Sequence, residues 1–479
     1  MAVRVRRNVW SLPQGDTTLT WYRSAVAELI GRPETDPSSW RYLAAVHGIP
    51  VGKQVPAGAN GFWDQCQHQS WFFLSWHRGY VTSFEAVIAA TIVELGGPSE
   101  WALPYWNYSE SLDANPNARL MPPEFRNRRL PDGSPNALWS KRAAVSNGDF
   151  SLDDNVVTLA ALQFQNFANA TPGAPSGFGG PPTGFNTGGG DNGGIENLPH
   201  NRVHTRIGGQ TGFMSDPATA ALDPIFWLHH CNLDRLWEVW RNQGAQFRSP
   251  TNAQWLTAVA FNMHDAARKP FTFVSADMLD TTRVLHGYRY DSVPVAQEPT
   301  TPALVEVAMV AEGRPELAGA NDGTVRLEGA VTRTVVTLRP QLTTRSFTEA
   351  TKPRPRRVYL NLENITGTGV PGDFNVFLHM QDDSREPVLA GVMTTFGLAR
   401  ASDPDRAHGG SGLNQVFDIT GLADQLGLTS GTVARLQVSF VREGVPLAEE
   451  GMPHGLEDYV QAARPESSIQ VGRVSLFYD

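Results

Sequence analysis

The sequence predicts a mainly α N-terminal domain over residues 1–293 and a smaller β-rich C-terminal domain over 303–479, joined by a linker at 294–302. Three observations carry this reading. Up to about residue 242, apolar residues recur at helical spacing between clear stops. Pro294–Pro302 (PVAQEPTTP) has the composition of a linker. Beyond it, apolar and polar residues alternate as they do in strands. At 479 residues the chain exceeds one ordinary domain, and 41% hydrophobic against 18% charged residues supplies a large buried core.

The first helix is read over 17–31, an amphipathic stretch closed by Gly31. A second covers Ser38 to Val46 before Gly48, and the longest runs from Gln69 to Leu95 ahead of Gly96-Gly97-Pro98. Helices resume over Glu196–Ile207 and Leu222–Asn242. Between them, 171–194 (TPGAPSGFGGPPTGFNTGGGDNGG) is a Gly/Pro tract and reads as a flexible surface loop. Strand-like alternation appears near Val335 and over 357–363, 375–380, 434–441 and 472–478, an all-β sandwich or barrel pattern.

The bulk properties exclude several classes. A net charge of −9 argues against nucleic acid or an anionic membrane as partner. No apolar run approaches a membrane span. Basic residues follow Met1 without an apolar stretch, so no export signal is visible. The two cysteines, Cys66 and Cys231, argue against a disulfide-stapled fold. The expectation is a soluble, cytoplasmic protein.

The chemistry is carried by histidines. Seven of the twelve fall in three clusters: His47; His68 with His77; and His200, His204, His229 and His230. His200 and His204 are four apart, so on a helix both rings project from one face and share a metal. A third ligand is expected from His229 or His230, not both, because neighbours on a helix diverge by about 100°. His230 is the better candidate, since Asp234 follows four residues later and is placed to orient it or a nearby group. His47, His68 and His77 form the second triplet. No Asp or Glu sits at ligand spacing in these clusters, and all-imidazole ligation suits copper, leaving room for O₂ between two ions. Six polar rings among Trp71, Phe72, Phe73, Trp76, Phe84, Phe226 and Trp227 have no reason to be buried without a partner.

At this point the motifs resemble a family. Cys66-Gln-His68 through Trp76-His77-Arg-Gly-Tyr80, and Asp223-Pro-Ile-Phe-Trp-Leu-His229-His230 through Asp234-Arg-Leu-Trp237, look like the two copper signatures of tyrosinases, catechol oxidases and molluscan haemocyanins. The resemblance covers roughly residues 4–293. More loosely, the remainder is similar to the β-rich lid domain of latent polyphenol oxidases.

The resemblance implies a four-helix-bundle dicopper core, with copper A on His47, His68 and His77 and copper B on His200, His204 and His230. It implies O₂ as co-substrate, phenols as substrates, and a thioether between Cys66 and His68. Cys231 matches no such role and reads as core. Tyr288-Arg-Tyr290 resembles the motif that closes the catalytic domain against an N-terminal arginine, for which Arg4, Arg6 and Arg7 are candidates.

Glu196 and Asn201 resemble the pair that holds an activated water, the base a monophenol needs to lose its proton. Thr205 is small enough not to crowd the entrance. Phe213, Met214 and Pro217 are gate candidates, and Phe396 is the candidate plug through which the lid keeps the enzyme latent. The expected activity is hydroxylation of monophenols and oxidation of o-diphenols to o-quinones. The alternatives are a catechol oxidase, an o-aminophenol oxidase and, less favoured, a haemocyanin-like O₂ carrier.

Overall fold

The computed structural model describes residues 3–50, 52–143, 151–285, 287–295, 315–339, 357–370, 372–380, 386–428, 435–443 and 467–479. The helical part is built on α1 (Thr18–Gly31), α2 (Trp40–His47), α3 (Phe73–Glu94), α4 (Arg202–Gly208) and α5 (Pro224–Arg241). Two helices start on recognisable caps. The Ser39 side chain accepts from the Tyr42 N–H at the head of α2. Asp223 accepts from the Ile225 N–H at the head of α5, with Pro224 in the first turn.

The central helix is α3, buried on nearly every side. It packs on α5 through Phe84 stacked on Trp227, with centroids 3.5 Å apart and planes at 7°. Its other side receives the hairpin β3 (Ala260–His264) and β4 (Pro270–Val274). Gly79 makes that approach feasible, since a Cβ there would fall 2.2 Å from the Phe273 ring.

A buried ionic knot ties α3 to α5 and to the N-terminus. Asp234 of α5 accepts from Arg78 at 2.5 Å, Arg6 at 3.2 Å and Tyr290 at 2.5 Å, and from the Tyr288 hydroxyl. Arg78 also reaches Glu238 at 2.7 Å, and Arg6 reaches Glu85 at 2.6 Å. Burial alone penalises the Asp234 charge, but the two guanidiniums and two tyrosine hydroxyls hold its carboxyl below the usual carboxylate range. Of the three candidate arginines, Arg6 meets the Tyr-x-Tyr motif: its guanidinium lies 3.4 Å over the Tyr288 ring. The backbone delivers it there, because β1 (Arg4–Arg6) runs parallel to β5 (Tyr288–Tyr290). Asp234 therefore does not orient His230, as its spacing suggests; its oxygens are committed to this knot.

The C-terminal part is one curled sheet of β6 (Glu316–Ala320), β7 (Val325–Arg326), β8 (Val331–Leu338), β9 (Val358–Gly367), β10 (Phe374–Met380), β11 (Val388–Met393), β12 (Leu413–Asp418), β13 (Arg435–Arg442) and β14 (Ile469–Tyr478). Its order is β11-β10-β13-β8-β6-β14-β9-β12, with β7 beside β14. The curl brings β11 back over β12, where a Cβ on Gly391 would fall 2.4 Å from the Phe417 ring. All five segments that alternate as strands lie in this sheet, whereas β6, β7, β11 and β12 are not evident from the sequence pattern. Its apolar core is separate from the helical core, with one exception: Phe396, between β11 and β12, packs into the helical core. The linker reading falls mostly outside the described residues, which resume at 315.

Two expectations are corrected. The tract 171–194 is not a loose surface loop but a wedge between the two parts. Phe178 stacks on Trp240 at 4.6 Å, and Gly190–Asp191, a short strand β2, pairs in parallel with Leu413–Asn414 of β12. Its glycines are there because other groups come close: a Cβ on Gly179 would fall 2.4 Å from the Phe167 ring. The helix expected over Glu196–Ile207 is broken at Leu198 (φ −140°, ψ 124°). Pro199 follows, and its ring forces the preceding residue into an extended conformation.

Removing one member of the knot leaves buried charges uncompensated. Asp234→Ala is expected to lower unfolding stability by about 3–5 kcal/mol, measured by denaturant titration, with Arg6→Ala falling in the same direction.

A candidate metal centre

Four helices and one loop bring the histidines together. His47 closes α2, His77 lies one turn into α3, His68 sits in the loop before α3, His204 lies on α4, and His200 precedes it in the broken turn. His229 and His230 lie in the second turn of α5. All seven are buried.

Oxygen atoms fix most of these rings. His47 Nδ1 meets the Pro217 carbonyl at 2.7 Å, His77 Nδ1 the Phe73 carbonyl at 2.8 Å, and His204 Nδ1 the Met214 carbonyl at 2.8 Å. His200 Nδ1 meets Asn201 Oδ1 at 2.8 Å. A carbonyl only accepts, so in each case Nδ1 carries the proton and Nε2 presents a lone pair. Burial drives the imidazoles toward the neutral form, to about 3 for His47 and His200 and well below the usual value for His68, His77, His204 and His230.

The Nε2 atoms of His47, His68, His77 and His200 are buried without a hydrogen-bond partner. His204 Nε2 lies 3.3 Å from His230 Nε2. Two imidazole nitrogens sharing a tetrahedral ion at about 2.0–2.1 Å each lie roughly 3.3 Å apart. Among the described residues, ring nitrogens of His200, His204, His229 and His230 fall within 4.8 Å of one another, as do those of His47, His77 and His230. His47, Cys66 and His68 make a third such group. Convergent neutral lone pairs without a carboxylate fit a soft-to-borderline metal with a taste for imidazole, as copper has.

Around this ring the other expected residues take definite positions. Cys66 Sγ lies 3.3 Å from His68 Nδ1, and burial pushes its thiol up to about 12. Glu196 turns toward the loop after His68: its oxygens accept from the Gln69 backbone N–H at 2.9 and 3.0 Å and from the Gln69 side chain at 3.1 Å. Burial raises its pKa to about 8, against the opposing pull of the Gln69 and Gly193 N–H groups. Asn201 orients His200 and donates to Thr394 Oγ1 at 3.4 Å. Met214 and Pro217, two of the gate candidates, hold His204 and His47 through their carbonyls, while Phe213 is buried beside Met214. Pro217 also faces Gly397. Cys231 packs in the core near Tyr290.

The sheet part closes the centre from one side. The Phe396 ring stacks on His204 (4.1 Å, 20°) and meets His200 at 5.4 Å and His68 at 5.8 Å edge-on. Thr394 Oγ1 reaches Asn197 at 3.1 Å. Asp373 accepts from Arg202 at 2.6 Å and Thr205 at 2.5 Å, and Glu443 pairs with Arg202 at 2.8 Å. Arg400 and Arg406 pair with Asp64 at 2.7 and 2.9 Å. Phe396, the candidate plug, is thus at the centre, whereas sequence reasoning missed the polar and ionic contacts around it. Their one visible signal is Arg202, a charge between two histidines on a helix that has to be buried.

Residues 37–243 match the family profile of the common central domain of tyrosinase, and 314–479 match a domain of unknown function. The tyrosinase HcTyr1 of Hahella sp. (strain CCB-MM4) is 36% identical over 452 residues, 88% of this chain and 92% of that one. Catechol oxidase B of Solanum tuberosum is 30% identical over 282 residues, but the match spans only 44% of that protein. The structure of latent apple tyrosinase shares the fold at a TM-score of 0.60 and 20% identity, covering 100% of this chain and 97% of that one. With a relative this similar along nearly its whole length, and with the convergent imidazoles in place, the chain belongs to the tyrosinase and polyphenol-oxidase family of copper enzymes.

Proposed function

We propose that this chain is a latent tyrosinase, hydroxylating monophenols and oxidising o-diphenols to o-quinones at two copper ions. The observation that carries the reading is the set of buried, neutral imidazoles whose Nε2 atoms converge without partners. Copper A falls to His47, His68 and His77, and copper B to His200, His204 and His230. When bound, the pair supplies O₂ activation and electron transfer from the phenol. The chain holds the rings in one tautomer, excludes water through the surrounding aromatic wall, and controls access.

Residues 1–293 form the catalytic domain in this reading, and 303–479 form the lid. Phe396 occupies the space over His204 that a planar phenol would take. Full-length Phe396→Gly is expected to turn over catechol at least about tenfold faster than the parent chain, a step of roughly 1.4 kcal/mol, measured by O₂ consumption. Cleavage near 294–302 should raise activity in the same way; an unchanged rate in both would remove the lid from the account.

Glu196 is the base for monophenols in this reading. A base works ionised, and the ionised fraction of a carboxyl near 8 grows as pH rises through that value. Monophenol turnover of the opened enzyme should therefore climb toward pH 8 more steeply than catechol turnover. Glu196→Gln should cut the monophenol rate by about 10²–10⁴-fold and spare catechol. One observation favours a catechol oxidase instead: Glu196 is engaged by Gln69, and Asn201 by His200. Catechol turnover without monophenol turnover in the opened parent enzyme would support that second reading, and equal loss of both activities in Glu196→Gln would remove Glu196 as the base.

Cys66 and His68 are joined by a thioether in the mature enzyme, a reading supported by the buried 3.3 Å approach of Sγ to the ring. The link replaces one S–H and one ring C–H by an S–C bond, with O₂ taking up the two electrons and two protons. Intact-mass measurement should then show protein matured with copper and O₂ two hydrogens lighter than the apo chain, and Cys66→Ala should lose that difference.

A further inference from the structure

Three rings in the cluster follow one pattern: a carbonyl holds Nδ1, and Nε2 turns inward as a lone pair. His200 follows it with Asn201 Oδ1 as the acceptor. His229 shares part of this arrangement, although its oxygen partner is a hydroxyl that can donate to the ring as well as accept from it. Its Nδ1 meets the Tyr108 hydroxyl at 2.9 Å, and its Nε2 is buried with no partner. His230 is the exception, because its Nδ1 has no partner and only its Nε2 is engaged, at 3.3 Å from His204.

His230 also stands between the two sets. It shares one group of converging nitrogens with His200, His204 and His229 and another with His47 and His77, and its ring stacks on His77 at 4.4 Å and 11°. His229 leans the other way, stacked on His200 at 5.5 Å and edge-on to His204 at 4.9 Å. Helical divergence predicts that only one of the two neighbours can face the site. The structure instead brings a ring nitrogen of each within 4.8 Å of ring nitrogens of His200 and His204.

We propose that His229 is an auxiliary copper ligand, a fourth imidazole of the B set that holds an ion while the A set is empty. This inference rests on the dicopper reading and adds a loading function to it. With a single ion present, His230 is drawn between two sets of nitrogens, and His229 keeps three imidazoles on the B side whichever way His230 turns. Tyr108 is the positioning residue, fixing the His229 ring so that Nε2 faces His200 and His204. The Tyr108 hydrogen bond accounts for Nδ1 of His229, and a ligand role accounts for its other nitrogen, which is buried with no partner.

The test isolates the B set. His77→Phe removes an A ligand while keeping a flat ring against His230, and the apo variant is titrated with copper(II). Pulsed EPR then counts coordinated imidazoles, and a competing chelator gives the affinity. Adding His229→Phe is expected to lower the imidazole count by one and weaken copper(II) binding at least tenfold, with circular dichroism confirming the fold. An unchanged count and an affinity within twofold would overturn the proposal while leaving the dicopper reading intact. If wild-type protein binds no copper through imidazole, the dicopper reading falls and this one with it. His47→Ala serves as the second A-site background should His77→Phe not fold.

Discussion

Everything in the helical part depends on how α3 and α5 are held at their crossing. The functional rings there are His77 and His230, stacked at 4.4 Å, and the bolt is Arg78 on Asp234, at 2.5 Å. Arg78 follows His77 by one residue, and Asp234 lies one turn beyond His230. A helix shift that separated the ion pair would therefore separate the rings as well. Buried ion pairs contribute little net stability, because desolvation offsets most of their attraction, but they fix register. Arg6, Tyr288 and Tyr290 complete the coordination of Asp234, which explains why the ends of the helical part, β1 and β5, are brought to its centre.

The same economy sets the rings themselves. The peptide carbonyls that hold Nδ1 of His47 and His204 come from Pro217 and Met214, in the short segment between α4 and α5. That segment touches one histidine of each triplet, so it sets the spacing between them without contributing a ligand. Residues around Gln69 act similarly. Gln69 adopts φ 49°, unusual for a side-chain-bearing residue, and Glu196 clamps its N–H with both oxygens. A carboxylate four residues before His200 thus holds the loop just after His68. Strain at Gln69 is sustained because its amide, carbonyl and side chain are all bonded.

Much of this was legible in the sequence, for identifiable reasons. Helices α1, α2, α3 and α5 announce themselves by periodicity and stops, and the histidines by spacing and by their implausibility as core residues. What failed to show were interactions whose partner lies far along the chain. Asp234 sits four residues from His230 and reads as orienting it or a nearby group, yet the arginines it pairs with are 156 and 228 residues away. The glycine tract at 171–194 reads as loose because composition records conformational freedom; here the glycines instead admit close neighbours such as Phe167. Likewise α4 reads as one helix from Glu196, since periodicity does not register the break that Pro199 imposes on Leu198.

The contacts between the two parts divide by kind, and the division bears on how they come apart. Arg202 with Asp373 and Glu443, and Asp64 with Arg400 and Arg406, are ion pairs whose members regain hydration on separation, so each is near break-even. Burial of a Phe ring such as Phe396 is worth about 1.5–3 kcal/mol. Neither term is large for a part of this size, and the tether between the parts keeps its local concentration high without any further contact. The charged pairs therefore fix where the sheet part sits, down to the ring over His204, more than how tightly it is held. Because Arg202 and Thr205 share α4 with His204, the helix that carries this histidine is the one the sheet part grips. Cutting the chain between the parts would leave the docking geometry intact and remove the concentration, which is the one contribution that a single hydrolysed peptide bond abolishes.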